Sequence, residues 1–224
     1  MKKKQAGFTL IELAIVLVII GLLLGGVLKG QELINSAKVK NMATDFKNIQ
    51  VYIYGYQDKF RALPGDDGAV GNHIVGSTPA STGTQGNGVI DGAWDTTING
   101  NESCVFWQHV RMAGLAPGVT TVSCALGNTY QPKNADGGII GVQSVSGFTT
   151  ITKNAAGTAA PMNGAYVICS SAVLGKYAKQ LDSTLDDGET NTGSMRVADP
   201  ANAGQSLLSS SIIDSTTYDV CLAF

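Results

Sequence analysis

Charge is scarce in this sequence. Only 14% of its 224 residues are Asp, Glu, Lys or Arg, against about 25% in an ordinary soluble domain. Part of the deficit is local, because one long run near the N-terminus is almost free of charge. The formal net charge of −2 gives no pull toward a polyanion, so no nucleic-acid partner is expected. Histidine is nearly absent as well. His73 and His109 are isolated, which leaves little for histidine catalysis or metal binding; His109 reads as a packing or surface residue. There is no Gly-x-Ser-x-Gly elbow, no His-Glu-x-x-His helix and no phosphate-binding loop. The expectation is that the chain is not an enzyme and needs no cofactor. A membrane-anchored exported enzyme therefore has nothing to support it. Cys-x-x-Cys pairs are missing too, which argues against zinc ribbons and thioredoxin-like redox sites.

What the chain does have begins at its N-terminus. Met1 to Gly7 is short and basic, with Lys2, Lys3 and Lys4. Phe8 to Leu28 is then almost wholly apolar, and about 21 residues suffice for a helix to cross a hydrocarbon core. The lysines place the N-terminus in the cytoplasm and send the rest outward. A secretory signal peptide would have a shorter apolar run followed by a small-x-small cleavage site. A plain signal anchor leaves Glu12 unexplained, since a carboxylate inside an apolar span is costly and asks for a partner.

Lys-Lys-Lys-Gln-Ala-Gly7 followed by Phe8-Thr9-Leu10-Ile11-Glu12-Leu13 resembles the prepilin signal shared by type IV pilins and type II secretion pseudopilins. The close resemblance covers about the first 65 residues; the head is similar only in outline. The resemblance implies that a prepilin peptidase cuts between Gly7 and Phe8 and that the new Phe8 amine is N-methylated. It implies that Glu12 pairs with the Phe8 amine of a neighbouring copy. Each buried charge would then cancel the other, fixing register between subunits. The implied partners are copies of the chain itself in a filament, the peptidase and the inner-membrane assembly machinery. The implied location is the inner membrane for the precursor, then an extracellular pilus or a periplasmic pseudopilus. The leading reading is a structural subunit of a type IV pilus; a pseudopilin, or a minor or adhesive pilin binding through the polar loops of Thr78 to Asn101, stays open beside it.

Beyond the span the apolar residues recur at steps of three and four: Val39, Met42, Phe46, Ile49, Ile53, Tyr56 and Phe60. That is one helix face, read here as the face that packs on a head domain. Leu63-Pro64-Gly65 is expected to end the helix. Gly21, Gly25, Gly26 and Gly30 make the stretch between the two halves the easiest to bend or melt. The expected organisation is a cleaved leader at 1–7, a filament-core helix at 8–30, an amphipathic half at 31–63 and an exported head at 64–224.

The head is rich in Gly, Asn, Thr and Ser, which suits short strands and long polar loops. Strands are expected at Val119 to Cys124, Gly138 to Val145, Gly164 to Ser170, Ser194 to Val197 and Tyr218 to Leu222. Helices are expected near Val105 to Leu115 and again after Ser170 or Ser171 as a cap. The second carries Leu174, Tyr177, Leu181 and Leu185 on its apolar face and stops at Gly188. The fold class is α+β, pilin-like: a long N-terminal helix on an antiparallel sheet with additional short helices. Cys104, Cys124, Cys169 and Cys221 suggest two disulfides in an exported head. Four cysteines allow three pairings; loop closure and order favour Cys104–Cys124 and Cys169–Cys221. Asp182, Asp186 and Asp187, with Glu189, offer close-spaced oxygens of the kind calcium takes, although Asp-Asp-Gly is also an ordinary turn. Asp66, Asp67 and Asp91 are weaker oxygen donors of the same kind. Asn101-Glu102-Ser103 fits the glycosylation pattern, a weak signal by itself.

Overall fold

The structure is a computed structural model that describes residues 9–125, 129–202 and 204–224. Helix α1 covers Leu10–Phe60 and is unbroken through its four early glycines. Its residues divide between two compact units, 1–38 and 39–224.

In the first unit the described side chains of residues 9–29 are all exposed. Leu10, Leu17, Leu22 and Leu28 are among the most exposed large apolar residues. A cation–carboxylate pair, Lys29 with Glu32, follows at 2.6 Å, open to solvent. Pairs of this kind contribute little to stability.

In the second unit α1 buries one face. Val39, Met42, Phe46, Ile49, Ile53 and Tyr56 are all inside, at the helical spacing the sequence shows. The helix ends at Phe60, three residues before the expected Leu63, because Arg61 turns into the left-handed region at φ 55°. Pro64 then excludes any return to helix at Leu63. A short helix α2, Val70–His73, precedes α3, Glu102–Met112. Strands β1 (Ile140–Ser144), β2 (Ile151–Lys153) and β3 (Tyr166–Leu174) lead to α4, Gly175–Leu185. Strands β4 (Met195–Ala198), β5 (Gly204–Gln205) and β6 (Thr217–Ala223) follow.

The main sheet has the order β1-β3-β6-β4 and is antiparallel throughout. Both of its faces are covered. Val142, Ile168, Val220 and Leu222 join the buried side of α1 and the Phe106, Trp107 and Val110 side of α3. Val167, Cys169, Cys221 and Ala223 face the other way, under Trp94, Phe148, Ile151 and Met162. The alternation of a strand's side chains puts neighbours such as Val167 and Ile168 into different cores. A second, two-stranded parallel sheet of β2 and β5 has no counterpart in the sequence reading.

Two expected elements are corrected. Residues 119–124 are not a strand. The Val119 and Thr120 carbonyls and the Cys124 N–H go to side chains. The Arg111 guanidinium donates to the Pro117, Val119 and Tyr130 carbonyls at 3.1, 2.9 and 2.7 Å. Gln108 donates to Thr120 O, and Asn99 accepts the Cys124 N–H. Ser170 and Ser171 do not cap a helix, because β3 continues to Leu174. The register shifts between Ser170 and Val173, and Ala172 takes φ 53°, so a bulge absorbs what the sequence presents as a break. The apolar face of α4 is as read: Tyr177 and Leu181 are buried and Leu174 and Leu185 are half-buried.

Candidate assembly site

The first described residues form a reciprocal cap. Thr9 precedes α1, and its Oγ1 accepts the Glu12 N–H at 3.3 Å. Glu12 Oε2 accepts the Thr9 N–H and the Thr9 hydroxyl, each at 2.8 Å. Thr-x-x-Glu at a helix start is a capping box, in which two otherwise unpaired backbone donors are satisfied. The spacing Thr9-x-x-Glu12 is present in the sequence, where the acid also stands as the lone charge in an apolar run. Gly7 and Phe8, the expected cleavage and methylation positions, lie outside the described residues. Glu12 is the one acid in the first turn of α1. It stands on a helix segment long and apolar enough to cross a membrane, none of whose apolar window is buried within the chain. A segment of this kind is stable only when something else apolar surrounds it.

The head is stapled twice. Cys104 on α3 is joined to Cys124 in the following loop, and Cys169 on β3 to Cys221 directly opposite on β6. In a chain-entropy picture, loops of 20 and 52 residues give about 3 and about 4 kcal/mol respectively.

The acids at the end of α4 are brought near one another but are unequally used. Asp186 Oδ2 accepts the Met195 N–H at 2.8 Å, and Asp187 Oδ1 accepts the Glu189 N–H at 2.9 Å. Asp182 is fully buried, and neither of its carboxyl oxygens has a hydrogen-bond partner. The Gly188 N–H approaches it without reaching hydrogen-bonding geometry. Burial, reinforced by the charges of Asp186, Asp187 and Glu189, pushes Asp182 up to about 7 against the opposing pull of that N–H. Among the described residues no group of three or more His, Cys, Asp or Glu side chains is arranged to hold a metal ion.

An open cleft of about 610 Å³ lies beside Phe60, Asp66, Asp67, His73 and Tyr166. Its acids are engaged in holding the fold. Asp66 accepts the N–H groups of Gly86, Asn87 and Gly88. Asp67 accepts the Tyr56 hydroxyl, the Ala69 N–H and the His73 ring at 2.8, 3.0 and 2.7 Å. His109 is wholly buried rather than at the surface. The Gly65 N–H donates to its Nδ1 at 2.9 Å, so its Nε2 carries the proton and donates to Thr78 O at 2.9 Å. Burial lowers its pKa and keeps the ring neutral. Asn101, in the glycosylation pattern, donates its amide to Thr96 Oγ1 at 2.7 Å, with Glu102 and Ser103 buried behind it.

Compared with known protein families, residues 2–28 match the prokaryotic N-terminal methylation motif. No curated protein and no solved structure matches the chain. Residues 2–28 are a prepilin-type signal of the kind that type IV pilins and pseudopilins share, and they open the long apolar helix.

Proposed function

We propose that the chain is a structural subunit of a type IV pilus, polymerising through its apolar N-terminal helix. One observation carries this reading. Residues 10–28 are apolar except for Glu12, and none of them is covered by the rest of the chain. Such a surface needs the membrane before assembly and other copies of the same helix afterwards. Removal of the leader between Gly7 and Phe8 would create an amine four residues from Glu12. Paired across copies, the two charges would neutralise each other in an apolar core and set the stagger between subunits. A prepilin peptidase and an inner-membrane assembly machine would be the partners on the way.

The test is mass spectrometry of filaments sheared from the cell surface. A fraction dominated by this chain, beginning at N-methylated Phe8, supports the pilus subunit. A chain processed at Phe8 but trace in that fraction, and retained in the envelope, replaces it with a pseudopilin or minor pilin. A chain still carrying Met1 to Gly7 removes the assembly reading altogether.

A further inference from the structure

The chain contains three Asn-Gly pairs, which begin at Asn87, Asn99 and Asn163. Asparagine is among the thermally labile residues, and a following glycine makes it more so. The glycine's backbone nitrogen can attack the side-chain carbonyl carbon of the asparagine, because no Cβ stands in the way. Ring closure needs that nitrogen unoccupied and the side-chain amide free to turn toward it. The fold treats the three pairs differently.

Asn87-Gly88 is held on both sides. The Gly88 N–H donates to Asp66 Oδ2 at 2.8 Å, and Asn87 Oδ1 accepts the Val89 N–H at 2.8 Å. The attacking nitrogen must first lose its proton, and the Asp66 carboxylate beside it opposes the negative charge that results. Asn99 Oδ1 accepts the Cys124 N–H at 2.7 Å, beside the Cys104–Cys124 bond, which fixes the side chain. Gly100 is anchored through its carbonyl, which accepts the Ser81 and Thr82 N–H groups at 3.0 and 3.2 Å. Asn163 and Gly164 are both exposed. Among the described residues neither the Asn163 side chain nor the Gly164 N–H has a hydrogen-bond partner.

We infer that Asn163 is a site of spontaneous deamidation, the Asn-Gly pair that the folded head leaves open to it. The Gly164 nitrogen forms a bond to Asn163 Cγ, its proton leaves to solvent, and the side-chain nitrogen departs as ammonia. The product is a cyclic imide. Water then opens the ring at either carbonyl. One opening gives aspartate at 163. The other gives isoaspartate, in which the main chain runs through Cβ and Cγ and is one atom longer. Water is the only other reactant. The position gives the change a consequence. Directly after it, the Ala165 and Tyr166 N–H groups both donate to Phe224 O, at 2.8 and 3.1 Å, and Gly164 lies against the Phe224 backbone. A longer chain at 163–164 shifts this seam, which ties the C-terminus to the start of β3. The inference does not rest on the filament reading.

The experiment holds the full chain in detergent at pH 8 and 37 °C. Digestion and mass spectrometry follow each Asn-Gly peptide, and enzymatic methylation identifies isoaspartate. The peptide carrying Asn163 is expected to convert first, at least about tenfold faster than those of Asn87 and Asn99, which react only when their loops open. In guanidinium chloride, where the fold is gone, the three should convert at similar rates. Asn163→Gln, whose longer side chain would have to close a larger ring, should stay intact over the same period. Hydrogen exchange at Ala165 and Tyr166 is expected to quicken in aged wild type and to stay unchanged in aged Asn163→Gln. Asn87 or Asn99 converting as fast as Asn163 in the folded chain overturns the proposal. So does an Asn163 that stays intact in the folded chain while converting in guanidinium, since the fold would then protect it too. Conversion at Asn163 with unchanged exchange overturns the consequence for the C-terminal seam.

Discussion

Asp182→Asn tests the buried acid at the end of α4. The Asp182 carboxyl is held at about 7, against an ordinary value of 3.8. Its proton affinity is higher folded than unfolded. The acid form therefore favours folding fully below about pH 4, and that contribution is lost as the pH rises toward 7. Above 7 the folded protein carries a constant penalty for a bare, buried charge. Each decade of proton affinity is about 1.4 kcal/mol, so three decades give a ceiling of about 4 kcal/mol. Relaxation of the surroundings around the charge reduces this to about 2 kcal/mol. Asparagine has the same shape and no charge to bury. The variant should match wild type near pH 4 and exceed it by about 2 kcal/mol at pH 9. Urea denaturation of the full chain in detergent, run at both pH values, measures the difference directly. Subtracting the two proteins cancels the titration of Glu102, Asp45 and Asp219, which burial also raises. An Asp182→Asn protein that is less stable than wild type at pH 9, or a difference that does not change with pH, refutes the reasoning.

The two roles open to Glu12 separate by substitution. Thr9→Val removes the cap, at about 1 kcal/mol, but keeps the acid. Glu12→Gln keeps a capping acceptor but removes the charge. If charge pairing drives assembly, filament yield should collapse for Glu12→Gln as for Glu12→Leu and fall little for Thr9→Val, with leader removal intact in all three on an immunoblot. Wild-type yield from Glu12→Gln would reduce Glu12 to a cap. Replacing Cys169 and Cys221 together by serine should lower the head's stability by about 4 kcal/mol, from the loop that the bond closes. Chemical denaturation reads that loss, and an unchanged midpoint would show that the β3–β6 ladder alone holds the pair together.

How much was legible depended on whether neighbouring residues carried the signal. The stripe from Val39 to Tyr56 and the Tyr177–Leu181 face of α4 repeat locally, so their burial followed from spacing. Strands β1, β4 and β6 likewise show as short apolar runs between turn residues. The 119–124 segment failed because its valines resemble a strand while its backbone is held by Arg111 and Gln108, residues from another element. The bulge at Ala172 failed because two serines before a helical pattern resemble a cap. The Thr9–Glu12 box is local too, since both partners lie within one turn of each other. Glu102 was not visible at all: nothing in Asn-Glu-Ser-Cys announces that its acid is buried and half unpaired. Asp66 and Asp67 read in sequence as oxygen donors for an ion, yet both accept hydrogen bonds that hold the fold, because only the folded chain brings Gly86 to Gly88 and Tyr56 to them.

The order β1-β3-β6-β4 puts residues 217–223 in the interior of the main sheet. Strand β4 touches the rest of that sheet through β6 alone, and Cys169 must wait for Cys221. The sheet therefore cannot close before residues 217–223 are in place. Until they arrive, β3 and β4 each present an open edge, the state in which strands from different chains pair with one another. Closure of the sheet is thus timed by β6, and a chain cut before it is left with open edges.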